Sequence, residues 1–525
     1  MCPFHKFIAA VSLLVGIALV SRAGADVKNP WVSTDQTVDC SSYDTIIRDL
    51  KIKDMKTDEE KALAMFYFFR QHVYHLQNLP ESKDPLKNIN CLGFTLCGSQ
   101  ATCMKGLLAA IGIKARVVNS DLNGGGDHTY YEAFYDGQWH GFDTMDTFYV
   151  YTRGEKKHVA SYEELNKDPT LVSDAVKEGR ACPSMCFCGD NPNGFTAPVH
   201  ELDYIPKDFK YFPRDYAIRK GEEMVRSWWP DGNALPGTCP PKIGPGPMHG
   251  CGGKDAKAEP FLFKFWEPYA IPKLGQKQRL SYRHYASGQI NFSPDLTKDA
   301  FKDGDVSAVG VAATPEGLSG KGDLVIPVKS PYYISSGYIV FEATCPGEGD
   351  AVTVSVATQK DKWESVLAAK DAGKKEYKAV LDAQIQKKGG VGHHQYWVRI
   401  SLDGKAVLHH LYLRTAFQYN PMSAPHLMPG KNKVTVEVAN ADALKDTPFV
   451  IAYRYREAPE WKTEKTIEKT VSASPFVFEE TLPSTEKLPQ MLDLTLRCGA
   501  LAWTPAGTAT PDKVFAESLK SQPAP

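Results

Sequence analysis

An Asp136-Gly137 dipeptide separates two short β-like segments, Thr129–Tyr135 and Gln138–Phe142, downstream of an Ala- and Leu-rich run at residues 98–111. Asp-Gly accepts the positive φ angles of a two-residue hairpin turn, so the two segments are expected to pair antiparallel. The preceding run, GSQATCMKGLLAAI, reads as a helix closed by Gly112. A second helix is expected over residues 57–75, where Thr57 and Glu60 stand at capping-box spacing and Leu63, Met65, Phe66, Phe69 and Val73 roughly follow a helical period. Ile113–Val118 adds a further strand. Helices leading into an antiparallel sheet define an α+β unit.

The rest of the chain reads differently. Residues 182–258 are rich in Cys, Pro and Gly, and CPSMCFCG (182–189) and the run from Pro236 to Gly253 are expected to hold no regular element. Beyond them, Tyr338–Ala343, Ala351–Ala357, Tyr396–Leu402, Ala406–Leu413, Lys433–Val438 and Phe449–Arg454 look like strands, with Asp403-Gly404 as a hairpin turn between two of them. Their spacing points to a β-sandwich over roughly 300–500. The expected organisation is a leader at 1–25, an α+β core at 26–181, an irregular segment at 182–258, a β-sandwich region at 259–515 and a disordered tail at 516–525.

Phe7–Val20 is apolar except for Ser12, and Ala23 and Ala25 form the small-x-small pattern of a signal-peptidase site. The run is short for a membrane span, so a cleaved secretory signal and a secreted or periplasmic mature chain are expected, with no membrane span in it. Eleven cysteines follow: Cys40, Cys91, Cys97, Cys103, Cys182, Cys186, Cys188, Cys239, Cys251, Cys345 and Cys498. In an oxidising compartment an odd number leaves at least one thiol without an intramolecular partner, while the rest are expected in disulfides. Cys182, Cys186 and Cys188 have zinc binding as an alternative to stapling. Lys and Arg total 61 against 62 Asp and Glu, a net charge of -1, which argues against a generally basic nucleic-acid binder.

Three residues carry possible chemistry. Cys97 precedes the Ala-rich helix, where backbone N–H groups and the helix dipole favour a thiolate. His128 opens one strand of the expected hairpin and Asp143 follows the other, so the hairpin sets both at one end of the sheet. Docking the helix start there completes a Cys–His–Asp triad, in which the His moves the thiol proton and the Asp orients the imidazole. The alternative reading makes Cys97 half of a disulfide and His128 a surface residue. Trp139 has two readings, a shield over the His and a core aromatic. Asn123-Gly124-Gly125-Gly126 reads as a loop at the site entrance or a plain connection.

The run CGSQATCMKGLLAAIGIKARVV, with Cys97, Ala101 and Gly112-Ile113-Lys114-Ala115-Arg116, is followed by HTYYE (His128, Glu132) and WHGFD (Trp139, Phe142, Asp143). In this order the motifs resemble the bacterial branch of the transglutaminase-like superfamily, whose fold is related to papain-like proteases. The resemblance covers roughly residues 40–160. It implies a transglutaminase-like core with Cys97 as nucleophile, His128 and Asp143 as its partners, and thiol chemistry on an amide or related acyl group. The protein-crosslinking members have a Trp directly after the Cys where Gly98 stands, so substrate and acceptor do not carry over.

The expected function is therefore an exported thiol enzyme that hydrolyses or transfers amide bonds of a protein, peptide or cell-wall peptide. Two other classes remain open: a catalytically inactive binding or scaffold protein, and a surface protein that holds polysaccharide through its β-sandwich. Trp363, Tyr396, Trp397, Tyr412 and Phe417 are the aromatics that would serve as a sugar platform, with core packing as their other reading. No cofactor or metal is expected.

Overall fold

The computed structural model describes residues 26–75, 82–122, 126–144, 149–155, 157–177, 199–202, 212, 215–228, 286–302, 304–386, 392–457, 460, 462–485 and 489–507. The expected leader, the cysteines at 182, 186, 188, 239 and 251, the loop at 123–125 and the tail at 516–525 lie outside them. Among the described residues no helix is long and apolar enough to cross a membrane.

Two helices build the α+β core. Thr57 caps the Asp58–His72 helix, accepting from Glu60 N while the Glu60 side chain accepts in return from the cap, and three acidic residues occupy the first turn. The cap satisfies backbone donors, and the acidic side chains complement the positive helix end. Leu63, Phe66, Phe68 and Phe69 are fully buried, each burial contributing about 2 kcal/mol. The Cys97–Ala110 helix packs against that helix and against a four-stranded antiparallel sheet. The sheet order is Gln138–Phe142, Gly126–Tyr135, Lys114–Leu122, Val199–Leu202. Asp136 and Gly137 both take positive φ, 49° and 80°, as the two-residue turn requires. The helix is followed by Gly112 at φ 81°.

A large antiparallel sheet of twelve strands occupies the rest. Its organising element is Gly317–Cys345, a 29-residue strand. Residues 322–329 pair with 395–402, the register then breaks at Lys329/Ile334, and residues 338–345 pair with 373–380. The strand thus changes layer and folds one sheet over a core that contains Leu324, Ile326, Val328, Ile339, Phe341, Val354, Val398, Ile400, Leu411 and Leu413. This is the β-sandwich. At its far end Val434 and Val436, from a three-stranded sheet of Trp31–Thr34, Gly430–Glu437 and Phe476–Leu482, share a core with Ile451, Tyr453, Leu494 and Leu496. Residues 31–34 precede the helical core in the chain yet pair with a strand of the β region.

Three expectations need correction. Asp403-Gly404 is a tight turn, with Gly404 at φ 67°, but not a hairpin. His393–Asp403 pairs with Gly317–Cys345 and Ala351–Ala357, so the turn joins strands in different layers. The inward apolar rows on both strands, Ile400 and Leu402 against Leu408 and Leu411, favour facing across the core over lying side by side. Secondly, residues 182–258 hold strands at Val199–Leu202, Ala217–Ile218 and Glu222–Ser227, the last inside the large sheet between Ala286–Phe292 and Gln490–Cys498. Thirdly, no disulfide joins any two of the six described cysteines, and Cys40, Cys91, Cys345 and Cys498 are buried free thiols. The first three donate to carbonyls instead: Cys40 to Val38 O (3.5 Å), Cys91 to Pro331 O (3.6 Å) and Cys345 to Ala369 O (3.6 Å).

Candidate active site

Cys97 is the first residue of its helix. Leu96 offers no side-chain cap and no acidic residue sits in the first turn, so the positive helix end is not neutralised from its own sequence and favours an anion at the Cys97 sulfur. Gln100, four positions into the helix, is fully buried and points back: its Nε2 donates to Thr95 O (3.1 Å). It fastens the segment entering the helix and is not aimed at a reacting carbonyl. Cys103 lies inside the helix, buried, and takes a contact from Asn88 Nδ2 at 3.1 Å. Burial pushes the Cys91 thiol well up, which makes it a poor nucleophile.

His128 and Asp143 come together. His128 Nε2 and Asp143 Oδ2 are 2.6 Å apart, and the two residues are 1% and 3% exposed. Tyr131 pairs with Phe142 in the hairpin register, so the carboxylate just past Phe142 reaches back to the start of the neighbouring strand. With Nε2 engaged by the carboxylate, proton exchange with a thiol falls to Nδ1. Burial, with the Asp143 charge nearby, pushes the Tyr131 and Tyr162 phenols well above their ordinary range.

A packed chain of groups holds the imidazole. Tyr130 meets His128 edge-on, with ring centroids 4.8 Å apart, and Tyr162 stacks on Tyr130 at 4.0 Å. Glu132 is fully buried; it accepts from Tyr162 N (2.8 Å) and from Arg116 Nε (2.7 Å). Gly141 is required beside it, since a Cβ there would stand 2.9 Å from Tyr162 Cε2 and 3.1 Å from Ala160 O. Tyr162 was not legible as a site residue. The signal for its helix start was present, because Ser161 and Glu164 form a capping box. Glu132→Ala should leave the Arg116 guanidinium and the Tyr162 N–H without their acceptor. Arg116 is partly exposed, so the expected loss is about 2–3 kcal/mol, below that of a fully buried pair; urea-unfolding midpoints check it, and an unchanged midpoint would remove Glu132 from this role.

Trp139 does neither of the things expected of it. It pairs with Phe134 at the turn end of the hairpin, with Arg116 stacked over its ring at 4.2 Å. Six residues of strand separate Phe134 from His128, about 20 Å at 3.3 Å per residue, so the indole does not cover the imidazole. Of the aromatics offered as a sugar platform, Tyr396 and Phe417 are fully buried and Tyr412 is 3% exposed, while Trp363, stacked with Arg399, and Trp397 are half-buried. They form no single exposed surface.

Residues 48–144 match the family model described as the transglutaminase-like superfamily. This part of the chain is a transglutaminase-like domain, and the matched stretch contains Cys97, His128 and Asp143. A β-sandwich region follows it in the chain. No curated protein matches the chain. Solved structures with some likeness include a glycosyl hydrolase family 2 member from Bacteroides cellulosilyticus DSM 14838, at 11% identity over 40% of this chain and 24% of that one, TM-score 0.12. Another is the pilus backbone from Streptococcus pneumoniae, at 6% identity over 41% of this chain and 72% of that one, TM-score 0.09. The chain thus spans about a quarter of the length of that hydrolase, and TM-scores this low support no transfer of fold or activity.

Proposed function

We propose that this chain is an exported thiol enzyme acting on amide bonds of a protein, peptide or cell-wall peptide, with Cys97 as nucleophile, His128 as proton carrier and Asp143 as its orienter. The observation that carries the reading is the short bond between buried His128 and Asp143 inside a transglutaminase-like domain. The Cys97 thiolate attacks the carbonyl carbon, and the oxyanion draws on the Cys97 backbone N–H and one upstream donor. The protonated imidazole gives its proton to the departing amine, leaving a thioester on Cys97. Water or a second amine then attacks the thioester, its proton passing to His128, and the thiolate is regenerated. The apolar segment before Ala25 supports export of the mature chain.

Acyl-enzyme trapping tests this directly. Mixing the protein with excess p-nitrophenyl acetate should release a burst of about one equivalent of nitrophenol and leave an acetyl thioester on Cys97, found by mass spectrometry. Cys97→Ala should show neither. Acetylation spread over lysines with no burst would point to a non-catalytic domain instead.

A further inference from the structure

Two arginines on neighbouring turns of the chain are equally buried, Arg219 and Arg226, each 5% exposed. Arg219 shows how such a group is normally satisfied. Its Nε and Nη2 grip the two oxygens of Glu222 at 2.7 and 3.0 Å, and its Nη1 donates to Pro327 O at 2.8 Å. Arg226 lies in the Glu222–Ser227 strand and faces the core side of the sheet. Among the described residues its one side-chain hydrogen bond runs from Nη1 to Tyr332 Oη, 3.0 Å. Its strongest electrostatic neighbours are the phenols of Tyr332, Tyr419, Tyr216 and Tyr453, and no carboxylate is among them. Tyr419, Tyr453 and Tyr216 spend their hydroxyl protons on Ser227 O, Pro425 O and Pro30 O.

A guanidinium cannot discharge by losing its proton, so burial demands a counter-charge. At Arg219 that charge is Glu222. At Arg226 the Nε–Nη2 edge, the pair of parallel N–H groups that fits two oxygens of one anion, has no acceptor among the described residues, and the Tyr332 hydroxyl supplies a further donor beside it. We propose that Arg226 and Tyr332 form a binding site for a small oxyanion of carboxylate or phosphate type, set where the large sheet meets the chain around Pro30 and Tyr216. The site is independent of the thiol chemistry.

The test is the melting temperature of the full chain in rising sodium acetate or sodium phosphate, with ionic strength held constant by sodium chloride. The wild type should show a saturable rise of a few degrees near 100-fold over Kd; a response to acetate alone assigns a carboxylate ligand, and a response to phosphate alone a phosphate-type one. Arg226→Met should abolish the rise and melt higher than wild type in chloride alone, because an uncompensated charge has been removed. Where Arg226→Met does not fold, Tyr332→Phe decides: it keeps the guanidinium and should weaken the half-saturating concentration by about tenfold. No saturable response of the wild type to either ion, or an unchanged response in the variants, overturns the proposal.

Discussion

His128→Ala should slow iodoacetamide labelling of Cys97 by on the order of 10²-fold at pH 6 and by little at pH 9. An isolated thiol with a pKa of about 8.5 is well under ~1% ionised at pH 6, whereas a thiolate paired with an imidazolium is ionised almost fully. The ratio closes as pH rises, because the thiol of the variant then ionises unaided. Asp143→Ala should give a smaller deficit with the same pH shape, since the ring keeps its base but loses the 2.6 Å bond that orients it. The label should report Cys97 cleanly among the described cysteines. Burial pushes the Cys40 and Cys91 thiols well up and takes Cys498 to about 12, and Cys103 is buried within the helix. Labelling mapped by peptide mass spectrometry over pH 5–9 is the measurement. Equal rates for wild type and His128→Ala at pH 6 would sink the triad and leave a domain of this fold without activated thiol chemistry.

The parts of the fold that could be read in advance were those whose signals are local. Thr57 and Glu60 marked a helix start because the reciprocal cap needs only four residues, and Asp136-Gly137 marked a turn because two positive φ angles need only two. The His128–Asp143 meeting followed from that turn. What escaped depended on distant partners. The Glu222–Ser227 strand hid because its inward positions carry Glu222 and Arg226, which defeat an apolar alternation; the first is neutralised by Arg219 within the same turn. Gly317–Cys345 was visible only as a six-residue fragment, since Gly320, Gly322 and Pro327 interrupt its β pattern. Those glycines are tolerated because the neighbouring backbone comes close: a Cβ at Gly322 would stand 2.0 Å from Val309 O. Cys40 and Cys91 looked like disulfide partners on count alone. Their carbonyl acceptors, one of them 240 residues away in sequence, carry no sequence signature.

Acidification from pH 6.5 to 5 should weaken the fold steeply, before carboxylates of ordinary pKa begin to protonate. His72, His394 and His426 are each held by burial at about 4, below the ordinary 6.5. The hydrogen bonds of His426 agree with a neutral ring. His426 Nδ1 donates to Ala424 O (2.9 Å) while Nε2 accepts from Trp228 Nε1 (2.6 Å). At His72, burial outweighs the backbone acceptors of Phe68 (2.8 Å from Nδ1) and Met422, and the Cys40 sulfur lies 3.8 Å from Nε2. For a base whose folded pKa is depressed, the unfolded chain binds the extra proton. Stability is therefore full above pH 6.5 and falls as pH drops toward 4, by up to about 3 kcal/mol per histidine. A charge on His72 also lowers the tendency of His426 to protonate, so proton uptake strains one place. That place is the seam between the helical core and the sheets, where Asn420 Nδ2 donates to the carbonyls of His72 and Ile89. Urea midpoints at pH 7.5, 6.0 and 5.0 measure the effect. His426→Gln, which retains an acceptor for Trp228, should lose some stability at pH 7.5 but flatten the profile by about one proton, roughly 1.4 kcal/mol per pH unit at most. A wild-type midpoint that is level from pH 7.5 to 5.0 would mean that these rings are protonated in the fold or exposed to water, and the buried seam would have to be redrawn.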